Sequence, residues 1–142
     1  MLLVEPLRLL QREVAAAIAS QAAVDIVASF ADARTYLDAA PYDLVVANLR
    51  LGAYNGIHLA YVVDLSESST RVIVHAGDGD AASARDIQRA GALYERTERL
   101  VVALPAYLGA ALPTRDRRDP IRFDRRRLPR GGRRAWDRAM AR

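Results

Sequence analysis

The stretch YDLVVANLRLGAYNG, residues 42–56, carries a run of apolar residues that stops at a neutral amide and breaks into a glycine-bearing loop. Leu44, Val45, Val46 and Ala47 are nearly continuous in apolar character, so Tyr42 to Asn48 reads as a strand covered on both faces, as in a parallel sheet. Asn55-Gly56 is a turn signal. Behind it Ile57, Leu59, Ala60, Val62 and Val63 fit a helix, which the polar run SESST ends. A strand, a loop and a helix form one unit here, and the same unit recurs on both sides.

Upstream, Leu2 to Val4 is a short apolar strand, and Pro6 is placed to open a helix at its first turn. Leu7, Leu10, Val14, Ala17 and Ile18 continue that helix at helical spacing to about Ser20. Val24 to Ala28 reads as a second strand. Ser29 followed by Asp32 resembles a capping box for a helix bearing Phe30, Ala33, Tyr36 and Leu37, which Pro41 closes. Downstream, Val72, Ile73 and Val74 make a fourth strand, HAGDGD a loop, and Ala81 to Ala90 a helix. Ala90-Gly91-Ala92 turns into a charged fifth strand from Leu93 to about Thr97, and a last helix is expected from about Leu100 to Leu112. Strands alternating with helices imply right-handed βαβ crossovers and a parallel sheet. Functional groups in such sheets gather at the carboxyl ends of the strands. That face would carry Glu5, Asn48, residues 49–56, His75 to Asp80 and Thr97 to Arg99.

The chain has 142 residues, 51% of them hydrophobic and 27% charged, with no cysteine. One domain with a real core is expected, without disulfides or thiolate metal sites. No window approaches the roughly 18 uninterrupted apolar residues of a membrane span, and no basic leader precedes Glu5, so the cytoplasm is the expected compartment. The net charge of +4 is divided unevenly. Residues 1–113 hold 9 arginines against 13 carboxylates, a net of −4, while residues 114–142 hold 12 arginines against 4 aspartates, a net of +8.

Taken together, the (βα)5 order, the opening LLVEP, the central DLVVANLRLGAYNG, RVIVHAG and QRAGALYE resemble the receiver domains of two-component response regulators, over about residues 1–112. The resemblance implies an α/β, flavodoxin-like, doubly wound five-stranded parallel sheet in strand order 2-1-3-4-5. It also implies a phosphorylation switch on an aspartate ending the third strand. That aspartate falls on Asn48, and an amide is a far poorer nucleophile than a carboxylate. The acidic pair that holds Mg²⁺ in the family falls on Glu5 and Pro6, its hydroxyl residue on Ala76, and its lysine on Glu98, or on Thr97 if one residue is deleted. Mg²⁺ asks for hard anionic oxygens in near-octahedral geometry, so neither metal nor other cofactor is expected. With nucleophile, half the metal site, hydroxyl and cation replaced together, the chain reads as a pseudo-receiver. The partner or dimer face of the family, on the fourth helix, fifth strand and fifth helix, would carry Arg85, Arg89, Tyr94, Glu95, Arg96, Arg99 and Tyr107.

Other residues carry weaker signals. Asp78 and Asp80 could rebuild a cation site with Glu5, or simply cap a helix and fill a turn. His75 could titrate near neutral pH or be structural. His58 sits on a helix without an evident partner, and no Ser/His/Asp or Cys/His arrangement suggests catalysis. Residues 113–142, with Pro113, Pro120, Pro129 and Gly131-Gly132, read as a mostly disordered arginine-rich tail. Its Arg125, Arg126, Arg127, Arg133 and Arg134, with Phe123 and Trp136 interleaved, could meet nucleic acid, an acidic partner or the acidic body. The first expectation is therefore a signalling module that binds a protein partner or itself without phosphorylation. The alternative is a binder of nucleic acid or anionic surfaces through the tail, and a weaker third is phosphorelay through Glu5 or a loop aspartate.

Overall fold

The computed structural model describes residues 1–77 and 81–118. Its elements run β1 (Leu2–Val4), α1 (Arg8–Ile18), β2 (Asp25–Val27), α2 (Phe30–Ala39), β3 (Leu44–Asn48), β4 (Arg50–Leu51), β5 (Tyr54–Asn55), α3 (Gly56–Leu65), β6 (Arg71–Ala76), α4 (Ala81–Arg89), β7 (Leu93–Arg96) and α5 (Thr97–Leu108). Five strands form one sheet in the order β2-β1-β3-β6-β7, every pair parallel, and β4 and β5 form a separate antiparallel hairpin. This is the doubly wound, flavodoxin-like sheet expected from the alternation of elements. Among the described residues no helix is long and apolar enough to cross a membrane.

Period-two alternation along the strands divides the core. Leu2 and Val4, Val45 and Ala47, and Val72 and Val74 point to one side, where Ala33, Leu59, Ala60, Val63 and Ile87 of α2, α3 and α4 cover them. Leu3, Leu44, Val46, Ile73 and Leu93 point to the other side. There α1 lays down Leu10, Val14 and Ile18, and α5 lays down Leu100 and Leu104, each set at i, i+4 spacing. Each fully buried leucine or isoleucine in these layers contributes on the order of 2 kcal/mol.

Three helix starts differ from the sequence expectation. Helix α1 opens at Arg8 with Leu7 as its N-cap, two residues beyond Pro6, because the Glu5 carboxylate accepts the Leu7 N–H at 2.8 Å and holds the intervening turn out of the helix. Helix α5 begins at Thr97, directly after β7, rather than near Leu100, and runs through Pro105 to Leu108. Asn55-Gly56 is a helix start instead of a free turn. The chain reverses at Gly52, whose φ of +72° suits glycine, while Asn55 caps α3. His58 has its partner there: the Asn55 side chain accepts the His58 N–H, and His58 Nδ1 accepts the Asn55 N–H, both at 3.1 Å. Phe30 and Tyr54 stack at 4.3 Å with His58 edge-on to both, which ties the hairpin to α2. The Ser29 hydroxyl accepts the Asp32 N–H and donates to the Asp32 carboxylate, so Ser29 caps α2 as expected.

Candidate functional site

The strand register brings polar residues into one row at the carboxyl end of the sheet. Val4 is aligned with Ala47, Asn48 with His75, and His75 with Glu95. Glu5, one residue beyond Val4, stands beside Asn48 in this row. By alternation these residues share the side of the sheet covered by α1 and α5, continuing the columns Leu3, Val46, Ile73 and Leu93. Glu5 and His75 are fully buried and Glu95 is 3% exposed. Buried polar groups need partners, and those partners define what the site can do.

The Glu5 carboxylate is held from three directions. It accepts the Leu7 N–H at 2.8 Å and the Asn48 amide nitrogen at 3.0 and 3.3 Å, and it lies 3.0 Å from His75 Nε2. The last contact is close but is not aligned as a hydrogen bond, so Nε2 has no partner in good geometry. On the opposite edge of the ring, His75 Nδ1 is 2.9 Å from the Thr97 hydroxyl. With the ring proton on Nε2, the Thr97 hydroxyl donates to Nδ1 and the N–H faces the carboxylate. Burial pushes the Glu5 carboxyl up, but His75, the Leu7 N–H and the Asn48 amide outweigh it, and the carboxyl sits below its ordinary value. Asn48 is equally committed, since its side-chain oxygen accepts the Arg50 N–H at 2.8 Å. The amide thus holds the loop after β3 on one side and Glu5 on the other.

A cavity of about 500 Å³ opens above this row, lined by Pro6, Asn48, Arg50, Ala76, Ser83 and Thr97 among others. Pro6, Asn48 and Ala76 thus line one cavity. Glu98 does not line this cavity; because α5 starts at Thr97, it lies in the first turn of the helix and lines a groove with Leu7, Leu10 and Val101 between α1 and α5. Thr97 takes the place facing the cavity. Among the described residues the donor set does not suit Mg²⁺: the Glu5 carboxylate is already bonded inward, Pro6 and Ala76 offer no side-chain oxygen, and Asn48 Oδ1 is engaged. No cluster of three His, Cys, Asp or Glu poised for a metal exists among the described residues. Asp78 and Asp80 lie outside those residues.

The second polar cluster lies at the far end of the row. Glu95 accepts from the Tyr107 hydroxyl, and Arg118 reaches both, with Nη1 3.2 Å from the Tyr107 oxygen and 3.6 Å from Glu95 Oε2. Asp116, 7% exposed, accepts the Tyr94 N–H at 3.0 Å and binds Arg118 Nε and Nη2 at 3.0 and 2.8 Å. Burial raises the Asp116 carboxyl, yet the Arg118 bonds carry it below its usual range. Arg118 is held above its own, chiefly by Asp116. Burial and the bond to Glu95 push the Tyr107 phenol up to about 12. Of the expected partner face, Tyr94, Glu95 and Tyr107 thus come together, while Arg85, Arg89, Arg96 and Arg99 are exposed around them, Arg89 paired with Asp86 at 3.1 Å. Asp116 and Arg118, in the segment read as a mostly disordered tail, are bonded to this face. The expectation for the rest of the tail, with Arg125, Arg126, Arg127, Arg133 and Arg134, falls outside the described residues.

His75, Thr97, Asp116 and Arg118 carry more of these clusters than sequence reasoning assigned them. Alternation could have found His75, which continues the buried column of Ile73. A lone Asp amid the arginines of TRDRR was the only mark of what Asp116 and Arg118 add to the second cluster.

No protein-family model and no curated protein matches the chain. Solved structures do. Response regulator DrrB of Thermotoga maritima, an OmpR/PhoB homolog, superposes with a TM-score of 0.65 at 19% identity, over 76% of this chain and 51% of that one. The fold is the receiver fold. The BeF3-activated receiver domain of DrrB matches with a TM-score of 0.65 and 19% identity over 77% of this chain and 96% of its own length. An orphan response regulator of H. pylori matches at 0.64 and 22% identity, over 75% of this chain and 93% of that one. The chain thus spans about half of full-length DrrB and nearly all of its receiver domain. Within the receiver fold, the row from Glu5 to His75 occupies the carboxyl end of the sheet.

Proposed function

We propose that the chain is a receiver-type module of two-component signalling that keeps the fold, lacks the phosphoryl switch and is not an enzyme. It acts by binding a signalling protein or a second copy through the face formed by α4, β7 and α5. One observation carries this reading: the residue ending β3 is an amide bonded to Glu5 and to the loop backbone, where a phosphoacceptor would have to be a free carboxylate. The charged groups around Tyr94 and Tyr107 would set specificity and encounter rate more than affinity. No metal or other cofactor enters this reading, and its setting is the cytoplasm. The test is sedimentation and pull-down with and without acetyl phosphate and Mg²⁺. Unchanged assembly is expected, and a phosphate-dependent shift would sink the proposal.

A second reading rests on the charge division, 12 arginines against 4 aspartates in residues 114–142 with Phe123 and Trp136 among them. Here the tail binds nucleic acid or an anionic surface and the receiver fold is its scaffold. Binding should then vanish when residues 119–142 are deleted and weaken steeply with salt, as counterion release requires. Salt-independent binding would exclude this reading.

A further inference from the structure

Strand β7 lies at the edge of the sheet, paired on one side with β6. Its outward main-chain groups must find partners elsewhere, since a bare edge is a template for any extended segment. The Ala92 N–H, just before the strand, goes to the Ile87 carbonyl at 3.2 Å, and the Arg96 N–H goes to Glu95 Oε1 at 2.9 Å. The middle of the edge is closed differently. Tyr94 gives its N–H to Asp116 Oδ2 and takes a bond from Arg118 Nη2 at its carbonyl, so two side chains do there what a neighbouring strand would do. The Gln88 amide nitrogen donates to the Arg118 carbonyl at 2.8 Å and holds the segment against α4.

Around Arg118 the geometry is that of a guanidinium receptor. The Tyr94 carbonyl, the Tyr107 hydroxyl and the buried Glu95 carboxylate converge on the two terminal nitrogens. A planar fork of donors matches such an arrangement, and a lysine ammonium would not. Glu95 is desolvated without a fully buried cation of its own; Arg118 is half exposed and supplies the compensating charge from above.

We propose that this edge is a recognition site for an extended protein segment that presents an aspartate and, two residues on, an arginine, and that residues 113–118 fill it in cis as a latch. The partner is a protein segment of the same Asp-X-Arg chemistry, and it gains the β7 edge only when the latch leaves. This rests on the interaction reading above only for what the latch guards; the latch and its receptor stand on the geometry of β7.

The test measures amide hydrogen exchange at Tyr94 in the full chain. The double variant D116A/R118A should speed that exchange at least about tenfold, the local opening expected when a protected amide loses its partner. A peptide of residues 113–118, PTRDRR, should restore protection when added to the variant and leave the wild type unchanged, and the same peptide with its final arginine replaced by alanine should not restore it. R117A, which removes an exposed guanidinium, should exchange as the wild type does. R118K, which keeps the charge and loses the fork, should fall between and reports on the latch if the double variant does not fold. Equal Tyr94 exchange in the wild type, D116A/R118A and R118K would overturn the latch. Fast exchange that the peptide fails to slow would overturn recognition in trans. Both outcomes are read without any signalling partner, so they stand apart from failure of the interaction reading.

Discussion

Replacing Asn48 by aspartate would set two carboxylates against each other, because the atom now 3.0 Å from Glu5 Oε2 is a donor nitrogen. An ionised oxygen there has no proton to give, and like charges at this separation resist joint ionisation. Asn48→Asp should therefore destabilise the fold by about 1–3 kcal/mol at neutral pH. The deficit should shrink on acidification as the pair takes up a shared proton. Urea midpoints at neutral and acidic pH measure both effects. The same variant should take no stable Mg²⁺-dependent label from acetyl phosphate, since Pro6, Ala76 and Glu98 remain; stable labelling would refute the switchless reading. Asn48 itself was legible as the end of an apolar run, but its bond to Glu5 was not. That bond depends on β1 and β3 being neighbours in register, which fixes how far Glu5 lies from the amide.

At the scale of elements, the start of α3 shows why some boundaries were misread. Asparagine followed by glycine favours both turns and helix caps, for related reasons: a short side chain that bonds nearby backbone, and a residue without Cβ. Crowding from the neighbouring strands decides between these uses. A Cβ on Gly56 would stand 2.8 Å from the Asn48 carbonyl oxygen and 2.8 Å from Val74 Cγ1, so glycine is needed for close approach of α3 to β3 and β6. The carbonyl cannot yield without disturbing β3. Gly56→Ala should cost about 1–3 kcal/mol, while Asn55→Ala, which removes only the cap, should cost about 1 kcal/mol. Thermal melts should rank the two in that order, and a reversed order would mean that the cap, not the packing, holds α3. The α5 boundary was misread because Thr97, Glu98 and Arg99 carry no apolar period, yet the chain turns into the helix as soon as β7 ends at Arg96.

Across the whole molecule, the alternation of strands and helices made the sheet order legible, while the segment after α5 looked like solvated charge. Composition cannot show that one aspartate and one arginine would find an open strand edge more than twenty residues back in sequence. The two polar clusters make the pH dependence of stability a test of this arrangement. Glu5 and Asp116 both have carboxyls lowered by folding, so their contribution is present above their unfolded values and is lost as pH falls through the lower folded ones. Tyr107 is shifted the opposite way, from 10.0 to about 12, so its contribution is present below pH 10.0 and is lost as pH rises through about 12. Asp116→Asn should flatten the acid limb of the urea midpoint against pH without abolishing it, because Glu5 remains. Tyr107→Phe should leave the acid contribution of Glu5 intact and remove one phenol from the absorbance titration near pH 12, where Tyr42, raised by burial and by Asp25, still titrates. If Asp116→Asn left the acid limb unchanged, the carboxylate could not be bonded in solution as it is here. The arginine-rich segment would then leave the β7 edge open.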